Sequence, residues 1–373
     1  MNRILFLLDN GLDILGGSPK STSTIGNILI KNGYEVSIWC PRYKKNLTSF
    51  PDDNTIIYNK KNNKIIHLLS RVFNLYKTIK HFRPDIIHAQ DAQCAILAVF
   101  LKKNRLIDKK IKIFYTDRKF LSSYKEKSRN LFIKYQDYFS KIICTTDTNA
   151  KNWKNYTNIM NIETINNVLD SDWYSFDDCK RKNSRVEIGI ENKINVSFCA
   201  RFEKYKRWDT VYEICKQLST DDRFVFSFAL VTLDVNEKNF VSYVNELKKM
   251  LGKKAFIYVN IKNKEDMKLF YYKSDFFIMT SENESFGRTI LEAMSKKCIS
   301  LGTNSGGVPD VIKNDEYLFE VNDFINVSEK IKLIVNDNNK FNQIKESQYR
   351  FFIDEYSLER FEKKTLEIYE VKE

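Results

Sequence analysis

The sequence predicts two successive α/β domains, each a parallel sheet covered by helices, and three observations carry that prediction. Short apolar runs of strand length alternate with helix-patterned segments almost throughout the chain, the pattern of strands joined by helical crossovers. The alternation breaks once, at the polar, charge-rich stretch 170–193, and then restarts. Nine of the 11 glycines gather in two places, five within residues 11–33 and four within 287–307, each at a strand-to-helix turn where open α/β sheets bind ligands. With 373 residues, the chain divides into a first domain over 1–170, a linker over 171–193, a second domain over 194–352 and a closing segment over 353–373. One glycine-bearing turn per domain suggests a cleft with a ligand between the two.

Taken in order, the strand candidates of the first half are RILFLLD (3–9), EVSIWC (35–40), DIIHA (85–89), KIFYT (112–116), KIICTT (141–146) and TINNVLD (164–170). Those of the second half are INVSFCA (194–200), FVFSFALV (224–231), AFIYV (255–259), FFIMT (276–280) and CISLG (298–302). Between the second and third strands, Ile65, Leu68, Leu69, Val72, Tyr76 and Ile79 recur at helical spacing, with Lys64, Arg71, Lys77 and Lys80 among the polar positions. Such a stripe covers the sheet and leaves its lysines solvated, or it lies on an anionic membrane surface. The last helix, SLERFEKKTLEIYEV, opens on Ser357 as its N-cap and is long enough to cross a domain junction.

Composition excludes several function classes. The chain is 43% apolar and 14% aromatic, with no repeat or low-complexity tract, which is the profile of a globular protein. Its first apolar run stops at Asp9, too short for a signal-peptide core, and no later run approaches the ~18 residues of a membrane span, so a cytoplasmic location is expected. Seven scattered cysteines without a C-x-x-C pair read as reduced, buried thiols, and three histidines (His67, His81, His88) offer no metal-ligand cluster. His88, inside an apolar strand, reads as a packed core residue.

The net charge of +13 is concentrated. Residues 55–84 carry five Lys and two Arg with no acid, and residues 101–141 carry 13 basic against four acidic residues, so the surplus belongs to the first half. No zinc finger, recognition-helix pair or RNP-like motif accompanies it, which argues against nucleic acid. Anionic lipid headgroups or a phosphate-bearing substrate suit it better.

The chemistry concentrates in TSENESFGRTILEAM (280–294). FFIMT is the preceding strand, SENESFG the turn, and Arg288 to Lys296 a helix for which Ser285 serves as N-cap. The amides of Phe286, Gly287, Arg288 and Thr289 would then point out of the helix start, where unpaired N–H groups and the dipole favour an anion. Gly287 removes a side chain from its path. Glu292 lies one turn below Arg288 and Thr289 on the same face, its Cα–Cβ bond tilted towards the anion site. Two carboxylates, Glu284 and Glu292, beside a phosphate need hydroxyl donors, and a nucleotide sugar supplies them on both sides of its diphosphate. The alternative is that Glu292 only pairs with Arg288 and Lys296 while Glu284 is a solvated loop acid. INVSFCARFEKYKRWDTVYEI (194–214) places Arg201 and Lys206 at another strand end, where cations neutralise a leaving diphosphate. TNSGGVPD (303–310) adds a further glycine-bearing turn.

The run E-S-F-G-R-T-I-L-E resembles the E-x7-E motif of the retaining glycosyltransferases of family four, the group 1 enzymes of GT-B fold. A-R-F-E-K-Y-K resembles their G-R-x-x-x-x-K turn and S-G-G-V-P-D their G-G-x-P-E turn. In the first half, L-G-G-S (15–18), R-P-D-I-I-H-A-Q and I-N-N-V-L-D (165–170) resemble the Gly-Gly loop, the P-D-x-x-H-x-H strand and the domain boundary of that family. The resemblance implies two Rossmann-like domains facing across a cleft, with the C-terminal helix crossing back to the first. It implies that Glu292 holds the ribose hydroxyls, Glu284 those of the donor sugar, and Arg201 and Lys206 the diphosphate, with the amides from Phe286 to Thr289 assisting and Ser285 beside them in the donor site. Asn260 falls in a loop near the nucleobase, and Gly16 and Gly17 let the backbone approach donor and acceptor.

Departures stand beside these matches. Ala200 and Arg207 occupy positions where the family commonly has glycine, and the T-x-H pattern appears as T-D-R, with Arg118 in the histidine's place. Arg118 either meets an anionic group on donor or acceptor, or pairs with Asp117 or a surface acid. The expected activity is retaining transfer from a nucleotide sugar, UDP-sugar favoured, to a sugar or lipid-linked glycan acceptor in surface polysaccharide or teichoic-acid-type glycan assembly. No metal or other cofactor is expected, nor a nucleic-acid partner, and the basic first domain suggests a peripheral position on the inner face of the membrane. Two rivals use the same residues: a nucleotide-sugar epimerase, which turns over donor without acceptor, and a silent binding subunit, which binds without turnover.

Overall fold

In the computed structural model, residues 2–9, 11–12, 17–41, 50–58 and 64–370 are described. The chain forms two compact units, one of residues 1–167 and 359–373, the other of residues 168–358. Unit 1 holds a seven-stranded sheet made of β1 (Arg3–Leu7), β2 (Glu35–Cys40), β3 (Thr55–Ile57), β4 (Ile86–Ala89), β5 (Lys112–Asp117), β6 (Lys141–Cys144) and β7 (Ile162–Thr164). Unit 2 holds a six-stranded sheet made of β8 (Ile194–Arg201), β9 (Phe224–Val231), β10 (Ala255–Val259), β11 (Phe276–Met279), β12 (Ile299–Thr303) and β13 (Leu318–Phe319).

Both sheets are parallel and run outward from their first strand in the same way. The orders are β3-β2-β1-β4-β5-β6-β7 and β10-β9-β8-β11-β12-β13. The direction of winding therefore reverses between β1 and β4 in unit 1 and between β8 and β11 in unit 2. In such sheets the crevice outside the carboxyl ends of those strands is where ligands bind. Strands buried on both faces explain the continuous apolar runs: Ile4 to Leu7, Phe226, Phe228, Leu230, Phe276 and Phe277 are all fully enclosed.

The structure departs from the sequence expectation at several elements. TINNVLD is a strand only as far as Thr164, and β7 begins before it, at Ile162. The helix after β11 ends at Met294, two residues early. The stretch expected as a linker belongs to unit 2 and contains the helix Asp178–Val186, which Asp177 caps from its side chain. That helix is fastened by charge. Arg181 and Arg185 reach Asp275 at 2.6 and 2.9 Å, and the same carboxylate accepts from the Asn195 amide at 2.9 Å. A chain segment with few apolar residues docks in this way because the buried carboxylate and five backbone carbonyls together satisfy both guanidinium groups.

The helix Lys64–Phe82 presents two apolar faces. Val72, Leu75, Tyr76, Ile79 and Phe82 pack into the unit 1 core, whereas Ile66, Leu68, Leu69 and Phe73 stand 56%, 57%, 63% and 58% exposed. The expected sheet-covering stripe is thus split, since Leu68 and Leu69 face outward. Arg71, expected among the polar positions, is buried, lies over the rings of Trp39 and Tyr58, and pairs with Asp9 at 3.1 Å. All seven cysteines are free thiols; Cys179 is exposed, Cys199 partly exposed and the remainder buried.

Candidate active site

The carboxyl ends of β8 and β11 meet at the winding reversal of unit 2, and the loops that follow them are stitched together. Thr280 donates from its hydroxyl to the Lys206 carbonyl at 2.8 Å, and the Glu282 amide donates to the Tyr205 carbonyl at 2.7 Å. Trp208 closes the first loop by donating from its indole to the Arg201 carbonyl at 3.0 Å. Between them the Lys206 ammonium pairs with the Glu284 carboxylate, both side chains mostly enclosed. Arg207, where the family pattern has glycine, takes the left-handed conformation that glycine favours, with φ 53°.

A third loop fixes Glu284 from the other side. The Gly307 amide donates to the Glu284 carbonyl at 2.7 Å, and Ser305 accepts from the Asn283 amide at 3.1 Å. Gly306 sits at φ 61°, and a Cβ there would stand 2.3 Å from the Glu284 carbonyl oxygen. The S-G-G turn is therefore the backstop of Glu284, a role its sequence did not announce.

The helix Arg288–Met294 begins at Gly287, which is its N-cap at φ 84° and supplies no side-chain cap; Ser285 is not the cap. Nor does Gly287 clear a path for a ligand. A Cβ there would point at Met279 and Ile290, each 3.1 Å away, so the glycine is required by its left-handed backbone and by the core beneath it. Glu292 is held in place by the Tyr271 hydroxyl at 3.2 Å and by Arg288 at 3.4 Å. Tyr271 is fully buried, and that burial keeps its phenol protonated by pushing its pKa well above the usual range, so it acts as a donor to the carboxylate. Burial and the nearby Glu292 carboxylate push the Cys199 thiol up to about 12. Lys296 does not use Glu292: its ammonium donates to the carbonyls of Trp173 and Ser175 at 2.9 and 2.8 Å. Sequence reasoning missed Tyr271, because an aromatic residue in an amphipathic helix carries no sign of a partner 21 positions away.

Arg201 extends from the end of β8, exposed, with Glu203 at 3.0 Å and Tyr205 at 3.4 Å. Asn260 follows β10 at φ 53° and its side-chain oxygen accepts from the Thr232 amide at 2.9 Å, which ties the two strand ends beside the site. Thr289 and Arg288 occupy the first turn of the site helix, and Phe286 is buried beneath it. Among the described residues, no three His, Cys, Asp or Glu side chains converge as a metal-ligand group, and no helix is long and apolar enough to cross a membrane.

In unit 1, Gly17 is the first residue of the helix Gly17–Lys31, and Gly16 lies outside the described residues. Arg118 follows β5 and donates to both oxygens of Gln90, at 3.2 Å to the carbonyl and 2.9 Å to the side chain. It does not share the carboxylate of Asp117. That group accepts from Tyr124, Trp153, Tyr115 and the Lys119 amide at 2.8 to 3.1 Å, and its burial raises it to about 6. His88 is fully buried with both ring nitrogens engaged, by Tyr369 and by Thr116 at 2.7 Å.

Comparison with known proteins bears on this arrangement. The family model for Glycosyltransferase Family 4 matches residues 15–173, and that for Glycosyl transferases group 1 matches residues 180–351, so the two in succession cover most of the chain. N-acetyl-alpha-D-glucosaminyl L-malate synthase of Bacillus anthracis is 26% identical over 290 residues, 74% of this chain and 73% of the relative. Among solved structures, Anabaena Alr3699/HepE in complex with UDP and glucose superposes with a TM-score of 0.81 at 14% identity, covering 99% of each chain. A variant of S. aureus TarM in complex with Fondaparinux, alpha-GlcNAc-glycerol and UDP gives 0.72 at 13% identity over the whole of both chains. With both halves matched in family order and the GT-B fold in place, the chain belongs to the glycosyl transferases group 1 of family four, enzymes that draw on a nucleotide sugar.

Proposed function

We propose that this enzyme transfers a sugar from a UDP-sugar to a sugar or lipid-linked glycan acceptor with retention of the anomeric configuration and without a metal. The observation that carries the reading is the Lys206–Glu284 ion pair, set between three interlocked loops at the winding reversal of unit 2, with Glu292 fixed by Tyr271 and Arg288 in the helix that follows. A cation and two carboxylates so placed fit a diphosphate flanked by hydroxyl-bearing sugars. Lys206 and Arg201 take the diphosphate, with Arg201 leaving Glu203 to do so, and the amides from Phe286 to Thr289 add donors along it. Glu292 accepts from the ribose hydroxyls and Glu284 from those of the donor sugar. Asn260 shapes the loop beside the base.

In the reaction the bond between the anomeric carbon and the leaving phosphate oxygen breaks and its electron pair departs with the diphosphate. The acceptor oxygen bonds to the same carbon from the same face, and its proton passes to the leaving oxygen. The chain's part is to stabilise the departing charge with Arg201 and Lys206. Uridine is favoured because HepE and TarM, which share the fold, were solved with UDP. Assembly of a bacterial surface glycan on an anionic membrane face fits the basic, partly apolar surface of unit 1.

The test is a thermal-shift screen of UDP, GDP, ADP and their sugar conjugates in EDTA, beside Glu292→Ala. Stabilisation by uridine nucleotides that the variant loses supports the site. Equal response of the variant removes Glu292 from it, and no response from the wild type overturns the reading. Once a donor is found, the anomer of the product by NMR decides between retention and inversion.

A further inference from the structure

We infer that Arg118, braced by Gln90, is the specificity-determining group of unit 1 and receives a carboxylate carried by one of the two substrates, as a sugar acid in the donor or as an acidic acceptor. The inference rests on the reading of the chain as a nucleotide-sugar transferase and names the class of substrate.

Arg118 leaves the carboxyl end of β5, next to β4, whose own end carries Gln90 at the winding reversal of unit 1. The two guanidinium nitrogens that find acceptors find neutral ones, both on Gln90. Gln90 is itself 3% exposed and its side-chain oxygen also accepts from Thr22 at 3.1 Å, so the fork is held in one orientation. No carboxylate of the described residues pairs with it. Asp117 is engaged by two tyrosines, Trp153 and the Lys119 amide, and Asp91 accepts from the amides of Cys94 and Asp9 at 2.9 and 2.7 Å. Elsewhere in the molecule, enclosed guanidinium groups do have a carboxylate: Arg71 has Asp9, and Arg181 and Arg185 share Asp275.

A second observation points the same way. Buried polar atoms normally have partners, yet eight buried side-chain atoms lack one among the described residues, and four of them belong to residues on the segments that follow the adjacent strands β4, β5 and β6. They are Arg118 Nε, Gln90 Nε2, Thr145 Oγ1 and Asn149 Oδ1. Two unmet N–H donors suit a carboxylate, which accepts through two oxygens, and two unmet oxygens suit hydroxyl groups. A sugar acid or hydroxy acid carries both. Burial also lowers the Arg118 guanidinium to about 10, still charged at neutral pH, and an arriving anion offsets that cost. His88 does not compete, since burial and the Arg118 charge hold its imidazole well below its ordinary pKa.

The experiment titrates the full chain and its Arg118→Gln and Arg118→Lys variants by calorimetry with UDP, UDP-glucose and UDP-glucuronate, and then, with UDP present, with glucose, D-glucuronate and L-malate. The expected wild-type result is a preference of about ten- to a hundredfold for the carboxylate-bearing member of one series. A preference in the nucleotide-sugar series places the carboxylate on the donor, and one in the free-acid series places it on the acceptor. Arg118→Gln abolishes the preference and Arg118→Lys keeps part of it, while UDP affinity stays constant and certifies the fold of each variant. UDP binding with no carboxylate preference, or a preference that survives Arg118→Gln, overturns the inference. Failure of the wild type to bind UDP is a different outcome, since it overturns the proposed function on which the inference stands.

Discussion

Gly306 and Glu284 meet where there is no room for a methyl group, and the consequences can be measured. Gly306→Ala would set a Cβ 2.3 Å from the Glu284 carbonyl oxygen and would also force alanine into a left-handed backbone, which costs about 1–2 kcal/mol before any clash. The loop bearing Glu284 must shift, and the Lys206–Glu284 pair shifts with it. The expected result is a loss of at least about tenfold in kcat/KM for the nucleotide sugar, with a fall of a few degrees in Tm. A variant with unchanged turnover would show that the turn does not position Glu284. Tyr271→Phe removes a single hydroxyl from a buried contact with Glu292, so its cost should fall on nucleotide binding, about 1 kcal/mol by titration calorimetry, while the core packing persists. The spacing of Glu284, Gly287 and Glu292 was legible because all three lie in one short segment. Tyr271 and the backstop role of Gly306 were not, because each is created by packing between segments whose individual patterns are ordinary.

At the scale of elements, legibility followed apolar content. Ten of the strands announced themselves as apolar runs, whereas β3 and β13, with three and two residues, are too short to show a pattern and take their conformation from the neighbouring strand. The helix Asp178–Val186 reads as linker in the sequence because DCKRKNSRV has almost nothing to bury. What docks it is Asp275, a fully enclosed carboxylate whose pKa stays below the ordinary value because Arg181, Arg185, Lys345 and the Asn195 amide outweigh its burial. A carboxylate depressed in the folded state stabilises the fold above its unfolded pKa, and that contribution is lost as pH falls through the folded value. Asp275→Asn should therefore cost about 3–5 kcal/mol at neutral pH, since it removes the carboxylate that both guanidinium groups share and leaves them only backbone carbonyls, and the penalty should shrink below about pH 4, where the wild type begins to lose the same interaction. Urea unfolding at neutral and acid pH checks both parts; a penalty that is constant with pH would mean that packing, not charge, fastens the helix.

For the molecule as a whole, the sequence showed where the charge lies and the structure shows what accompanies it. Residues 55–84 carry no acid, and the helix that runs through them leaves Ile66, Leu68, Leu69 and Phe73 outward, with the Lys77 ammonium 4.5 Å above the Phe73 ring. Periodicity alone could not reveal this, since one apolar stripe was expected and the helix has two, only one of which meets the sheet. Apolar side chains that interrupt a basic surface are a means of attachment to anionic lipid, where each basic residue near the surface adds about 1 kcal/mol and the attraction decays over a Debye length of about 10 Å at 0.1 M salt. The protein should therefore co-sediment with vesicles containing phosphatidylserine or phosphatidylglycerol and not with neutral phosphatidylcholine vesicles, and should be released as salt is raised. Leu69→Asp with Phe73→Asp removes apolar area and adds two negative charges at positions already in water, so vesicle affinity should fall at least about tenfold while the unfolding midpoint stays within about 0.5 kcal/mol of the wild type. Equal binding to neutral vesicles, or undiminished binding by the double variant, would leave the exposed stripe without a role at a membrane and assign the basic charge to the substrate instead.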